Sequence, residues 1–273
     1  MIDQQLASEV EQRVRVQLDE HVATVTLARP DKHNALDVPM FQAILAAVEQ
    51  VAAAPRIRAV VLHGEGKSFC SGLDVASVMS AQAGVEGVDS ELAGPVPNRL
   101  QRAAYDWVRL PVPVIAAIHG NCLGGGLQIA LGADIRIAHP DARLSVLEVK
   151  WGLIPDMSLT QTLPRLVAID VAKELTFTGR VLGAEEAHRL GLVTRVADDP
   201  LAAARELAGE IAGHSPDAVR AAKRLLGEAW GGPAEETLAL EALLQRGLIG
   251  SPNQLAAVMA GMSGEPAQFT DPA

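Results

Sequence analysis

Two glycine-bearing turns are the places where this sequence could stabilise negative charge: Gly64-Glu-Gly-Lys-Ser-Phe-Cys-Ser-Gly-Leu-Asp74 and Gly120-Asn-Cys-Leu-Gly-Gly-Gly-Leu-Gln128. Each leaves an apolar run and enters a helical pattern, so each exposes backbone N–H groups at the positive end of a helix. Unpaired amides in that setting suit an anion, or an oxyanion that develops during a reaction. Gly124, Gly125 and Gly126 remove the Cβ atoms that would hold a ligand off the backbone. Tight packing explains either turn alone; it is the pair that suggests a site. Arg29, Lys32 and Lys67 are cations available to a small anionic ligand, with ordinary solvated charge as the alternative for all three.

Near matches to other chemistries fail on spacing. Gly66-Lys67-Ser68 resembles the end of a phosphate-binding P-loop, but that pattern needs a glycine where Val61 stands. His119-Gly120 ahead of the triple glycine resembles a hydrolase oxyanion loop, yet no G-x-S-x-G elbow occurs anywhere. Neither HExxH nor a His/Cys cluster is present, and no G-x-G-x-x-G follows a strand, so no metal and no dinucleotide cofactor is expected. Cys70 and Cys122 lack CxxC spacing and read as small core residues of a reducing, cytoplasmic setting. His63 and His119 end apolar strands, where satisfying a backbone carbonyl is the ordinary role. Trp151 is read either as pocket lining or as core packing.

Composition narrows the partners. A formal net charge of −10 with no Lys/Arg run disfavours nucleic acid. Apolar residues make up 49% of the chain and aromatics only 3%, so the core must be built from Ala, Val, Leu and Ile. With 273 residues, folding buries roughly three quarters of the unfolded surface. Met1 to Val10 lacks the basic-then-apolar order of a secretory signal, and no run has the length of a membrane span.

The elements that must carry the two turns follow from periodicity. Arg13 to Leu18 and Val22 to Ala28 predict a hairpin around Asp19-Glu20-His21. Val38 to Ala53 predicts a helix, and Arg58 to His63 a buried strand entering the first turn. Ser80 to Pro97 is rich in Ala, Gly, Ser, Pro and acids and predicts a mobile loop, a candidate lid, before a helix from Asn98 to Val108. Val112 to Ile118 predicts the strand entering the second turn, Gly124 to Leu131 a helix, and Asp134 to Ala138 and Arg143 to Val146 further strands. The repetition of strand and helix is an α/β layered architecture. From about residue 200 the pattern is wholly helical, which divides the chain into 1–199, a core with the site, and 200–273, a helical module for packing and oligomerisation, frayed from about Ser263.

RPDKHNAL at Arg29 to Leu36, GKSFCSGLD at Gly66 to Asp74 and HGNCLGGGLQIALGADIRIA at His119 to Ala138 together resemble the enoyl-CoA hydratase/isomerase, or crotonase, family. LSVLEVKWGLIPDMSLTQTLPRL at Leu144 to Leu166 and SPDAVRAAKRLL at Ser215 to Leu226 extend the resemblance over nearly the whole chain. It implies a ClpP/crotonase-like spiral of ββα repeats with a C-terminal helical module, assembled as a trimer or hexamer, and fatty acid metabolism as the setting. It implies an acyl-CoA substrate, with coenzyme A entering only as part of that substrate. The thioester carbonyl would sit between the backbone amides of Leu73 and Gly125, flanked by Gly124 and Gly126. CoA phosphates would lie near Arg29, Lys32 and Lys67.

The resemblance also locates the proton-moving groups. Hydratases of the family hold a water between two glutamates, and the matching positions here are Gln128 and Glu148. An amide cannot exchange a proton at ordinary pH, so a two-glutamate hydration is not expected. Asp156, eight residues after Glu148, matches the dienoyl-CoA isomerase branch, as does Asp74 in the first loop, although that branch has aspartate where Gln128 stands. Glu148 and Asp156 are therefore read as the proton-shuttling pair, with Gln128 hydrogen-bonding substrate or water. The plainer alternatives are a helix N-cap for Asp156 and a solvated edge charge for Glu148. Double-bond isomerisation is the expected activity, with enoyl-CoA hydration or non-catalytic acyl-CoA binding as alternatives.

Overall fold

The computed structural model describes residues 12–80 and 94–272. The Met1 to Val10 segment and most of the Ser80 to Pro97 loop lie outside the described residues.

Strand β1 (Val14–Asp19) turns at Glu20 into β2 (Val22–Leu27), the antiparallel hairpin expected from alternation. Asp37 caps helix α1 (Val38–Ala52) by accepting from the Met40 N–H, and Pro39 near the start suits a position whose N–H needs no partner. Strand β3 (Ala59–Gly64) leads to the short helix α2 (Val75–Ser80), and the Asn98–Gln101 capping box opens α3 (Arg99–Arg109). Strand β4 (Val114–Ile118) and the short β5 (Asn121–Leu123) deliver the chain to α4 (Gly125–Leu131). Next come β6 (Ile135–Ala138), β7 (Arg143–Ser145) and a 3-10 turn at Glu148–Trp151. Helix α5 (Leu159–Thr162), helix α6 (Ile169–Thr178), strand β8 (Leu182–Gly183), helix α7 (Ala184–Leu190) and strand β9 (Arg195–Val196) complete the mixed part.

Five strands run parallel in the order β2-β3-β4-β6-β9, with β1 antiparallel at the edge, while β5, β7 and β8 form a second, small sheet. A parallel sheet needs cover on both faces, and β3 and β4 are accordingly near-continuous apolar runs. One face packs on α1 and α3 around Ile44, Val48 and Trp107. The other is closed by α8 (Pro200–Ala212), whose Ala204 and Ala208 meet Ala59, Val61, Ile115, Ala117 and Ile137. Small residues on α8 let the helix approach the strands closely. A division of the chain at 199/200 thus assigns to the second unit a helix that completes the core of the first.

Helices α9 (Pro216–Ala229), α10 (Ala234–Leu248) and α11 (Pro252–Ser263) extend beyond the sheet. They leave Trp230, Leu238, Leu243, Met259 and Met262 exposed. The residues after Ser263, expected to fray, are instead tied back. Asn253 is buried and exchanges two 2.9 Å hydrogen bonds with the Thr270 backbone, and Arg58 donates to Phe269 O and Asp271 Oδ1. Such long-range polar partners leave no trace in local periodicity.

Candidate active site

The two glycine turns meet. Phe69 N–H donates to His119 O, Cys70 N–H to Asn121 O and Leu123 N–H to Cys70 O, so the turns run side by side in strand-like pairing. Gly72 makes the closest approach possible: its φ is +89°, and a Cβ there would lie 2.7 Å from Leu123 O and 3.6 Å from Gly125 N. The backbone after Gly72 and the start of α4 therefore share one small space. Among the described residues, neither the Leu73 N–H nor the Gly125 N–H has a hydrogen-bond acceptor. Leu73 is partly exposed, whereas Gly125 is buried.

Buried Asn34 holds the first turn in place, a residue that reading the sequence did not single out. Its Nδ2 donates to Glu65 O, Ser68 O and Phe69 O at 2.8–3.1 Å, and its Oδ1 accepts from Arg29 N–H. The signal was present in the RPDKHNAL match, but only the fold shows which carbonyls it gathers. Arg29 is also structural. Its guanidinium bonds Asp74 at 2.8 Å, reaches Asp37 at 3.4 Å and donates to Ala35 O, and its side chain is only 12% exposed. Arg29 is therefore not the free cation for CoA phosphates that the sequence suggested. Asp74 is likewise occupied by Arg29 and by the Ser77 N–H; burial opposes its charge, but these partners hold its carboxyl below the ordinary value. Lys32 and Lys67 are exposed and remain available.

Glu148 and Asp156 converge beside α4. A Cβ on Gly124 would lie 3.4 Å from Glu148 Oε1, which places this carboxylate against the triple glycine. Burial pushes the Glu148 carboxyl above its ordinary value and the Asp156 charge adds to this, while nearby backbone N–H groups, its own first, and the Gln128 amide work the other way. Burial raises Asp156 as well. Glu148 is thus no solvated edge charge. Asp156 is no helix cap either, since Ser158 occupies the N-cap of α5 and no backbone N–H of that helix reaches Asp156.

Gln128 departs from expectation. Its side chain is 2% exposed and both amide ends are used inside the protein: Nε2 donates to Glu148 Oε1 at 2.7 Å, and Oε1 accepts from Met157 N–H at 2.9 Å. Gln128 therefore does not face substrate or bulk water. Glu148 Oε2 is buried and has no hydrogen-bond partner among the described residues. Gly126 also serves packing rather than ligand approach, because a Cβ there would lie 2.5 Å from Cys70 O.

The lesser candidates resolve as ordinary structure. His63 bonds Thr26 Oγ1 and Gly64 O, and His119 bonds Gly66 O. Both cysteines are fully buried, and burial pushes the Cys70 thiol up to about 12. Trp151 is 60% exposed, beside exposed Leu153 and Ile154, and so is not core. No three His, Cys, Asp or Glu side chains cluster as metal ligands among the described residues. No helix among them is long and apolar enough to cross a membrane.

The site is thus two amides without acceptors among the described residues and, against the triple glycine, a buried carboxylate pair, an arrangement suited to placing negative charge on a carbonyl oxygen while protons move nearby. Comparison with known proteins gives the family and the fold. The family model described as enoyl-CoA hydratase/isomerase matches residues 17–263. The mouse mitochondrial Delta(3,5)-Delta(2,4)-dienoyl-CoA isomerase is 33% identical over 250 residues, covering 89% of this chain and 76% of the mouse protein. A Mycobacterium tuberculosis (strain ATCC 25618 / H37Rv) protein named "Probable enoyl-CoA hydratase EchA14" is 38% identical over 198 residues, 71% of this chain and 73% of that one. The crystal structure of an enoyl-CoA hydratase from Bacillus anthracis superposes with a TM-score of 0.87 at 31% identity, over 94% of this chain and 99% of that chain.

Proposed function

This chain belongs to the enoyl-CoA hydratase/isomerase family, and on that premise we propose that it moves a double bond within an unsaturated acyl-CoA rather than adding water to one. The observation that carries this reading is Gln128. The position at which a two-glutamate water site needs a second carboxylate holds a buried amide already committed to Glu148 and Met157. The ionisable pair is instead Glu148 and Asp156.

In the proposed reaction the thioester oxygen accepts from the Leu73 and Gly125 N–H groups. Glu148 Oε2 removes a proton from carbon, and the electron pair of the broken C–H bond runs through the conjugated system to the thioester oxygen. The enolate collapses by taking a proton from the Asp156 carboxyl at a more distant carbon. Glu148 finishes protonated and Asp156 ionised, and exchange with solvent resets them. Burial raises both carboxyls, and what separates them is the donor: Gln128 donates to the charged form of Glu148, which suits it to the base, whereas no side chain among the described residues donates to Asp156, which suits it to the acid. The route uses no group beyond the coenzyme A of the substrate. Lys32 and Lys67 are the cations proposed to meet its phosphates.

A hydratase is the second reading, favoured by the unpartnered Glu148 Oε2, an acceptor free to orient one water. The purified protein given a 2-enoyl-CoA and a 3,5-dienoyl-CoA side by side distinguishes them. Growth of the conjugated 2,4-dienoyl absorbance supports isomerisation, and loss of the enoyl absorbance supports hydration.

The exposed apolar residues of α9 to α11, with Ile154 and Phe177, support a homo-oligomer, a trimer or hexamer, as the working form. Sedimentation equilibrium at working concentration tests this, and a monomer would contradict it.

A further inference from the structure

We propose that Gln128 is a positioning residue, a neutral strut that fixes Glu148 by one oxygen, leaves Oε2 as the only working atom, and holds the peptide carrying Asp156 at a set spacing from it. The inference rests on the reading of Glu148 and Asp156 as the proton-transfer pair.

Its geometry is determined from one end. The Met157 N–H can only donate, so the Gln128 atom 2.9 Å away must be the carbonyl oxygen, which settles which way the amide points. The other end is then the NH2 group, 2.7 Å from Glu148 Oε1. A donor at Oε1 leaves that oxygen as acceptor in either protonation state of Glu148, so a proton arriving on this residue must settle on Oε2. That atom is buried and makes no hydrogen bond among the described residues, so it is the carboxylate oxygen the fold leaves uncommitted. Gln128 itself has no pKa in the working range, so the strut does not loosen as the carboxylates titrate.

The strut is tied to the amide pair. Gln128 lies three residues after Gly125 on α4, on the same face of the helix, so one rigid element presents both the oxyanion donor and the strut. Through Met157 it also fixes the peptide that follows Asp156. Base, acid and oxyanion donor are thereby referred to one short helix, whereas a substrate- or water-facing glutamine would need a free amide end, and both ends of this one are bonded inside the protein.

The test is Gln128→Met, similar in length but without either hydrogen bond, measured as kcat and KM across pH with the thermal midpoint recorded alongside. The expected result is a fall in kcat of about ten- to a hundredfold with KM changed less than about threefold, because misplacing a reacting group acts on the chemical step. The acid limb of kcat should also move to higher pH, since ionised Glu148 has lost its donor. A lower thermal midpoint with kcat and the acid limb unchanged would mean that Gln128 only supports the fold, and would overturn the proposal. Gln128→Glu is the second variant and decides the matter if Gln128→Met does not fold. Protonated, it replaces the donor and retains part of the activity; ionised, it repels Glu148, so its activity should collapse as pH rises, and a wild-type profile would overturn the strut. Glu148→Gln separates the levels. Wild-type turnover there defeats the proton-transfer reading itself, whereas lost turnover with an unaffected Gln128→Met defeats the strut alone.

Discussion

Leu36 and Leu73 pair as an isolated parallel bridge: the Leu36 N–H donates to Gly72 O at 2.8 Å and the Asp74 N–H donates to Leu36 O at 2.9 Å. Because backbone groups alternate sides along an extended segment, this pairing turns the Leu73 N–H away from Leu36. The fold uses the neighbours of Leu73 and leaves its own amide without an acceptor among the described residues.

Replacing Leu73 by proline should therefore remove a catalytic donor without removing a structural one. Turnover on any accepted thioester should drop by about a hundredfold or more with the circular dichroism spectrum unchanged. A folded variant with near-normal turnover would show that this amide does not meet the thioester oxygen.

Asn34 should matter to stability and activity together. Asn34→Ala deletes four hydrogen bonds and leaves Ser68 O and Phe69 O to find new partners, at about 1–3 kcal/mol for each buried group left unsatisfied. The left-handed backbone at this residue, φ 56°, adds about 1 kcal/mol of strain for alanine. Calorimetry should give a thermal midpoint lower by at least several degrees, at roughly 2–4 °C per kcal/mol. Turnover of the surviving folded fraction should also fall, because the first amide is no longer held.

Cations should divide into two kinds. Lys32→Ala and Lys67→Ala should each raise KM for an acyl-CoA by a few-fold, with the effect shrinking as salt is added, because both are exposed. Arg29→Ala should instead lower the thermal midpoint, since it strips Asp74 and Asp37 of a partner. Equal KM effects from all three would contradict the structural role of Arg29.

The buried carboxylates predict pH behaviour with a definite sign. The base must be ionised and the acid protonated, so turnover should be bell-shaped. Its acid limb should lie above the ordinary glutamate range because burial raises Glu148. For stability, an acid whose folded pKa is raised binds its proton more tightly when folded. The cost is absent below the unfolded value of about 4.3, grows as pH climbs toward the folded pKa, and is constant above it. Glu148→Gln should therefore raise the thermal midpoint at neutral pH and lose that advantage in acid. No pH dependence of the difference would mean that Glu148 is not desolvated.

Much of this fold was legible because its determinants are local. The β-branched runs that became β2, β3 and β4, the caps at Asp37 and Asn98, and the two turns all appear in short windows. The site was legible in part: the turns, Glu148 and Asp156 could be named from the sequence, and the structure shows that burial raises both carboxyls. The sequence reads Gln128 and Arg29 as ligand contacts, which the structure corrects, and does not single out Asn34. Their roles depend on partners such as Met157 and Asp74, 29 and 45 residues away, and a hydrophobic pattern reports which face is buried, not which carbonyl a buried amide will meet. The tied-back C-terminus escaped for the same reason, since its partner Arg58 lies 213 residues before Asp271.

The central claim is that protons move within the acyl chain and water is not added. The most direct measurement is the mass of the acyl-CoA product formed from a 3,5-dienoyl-CoA and, separately, from a 2-enoyl-CoA. The account predicts a dienoyl product of unchanged mass whose double bonds have shifted into conjugation with the thioester, a conversion abolished in Glu148→Gln and in Asp156→Asn. A robust product heavier by one water from the 2-enoyl-CoA, formed equally well by Asp156→Asn, would contradict it.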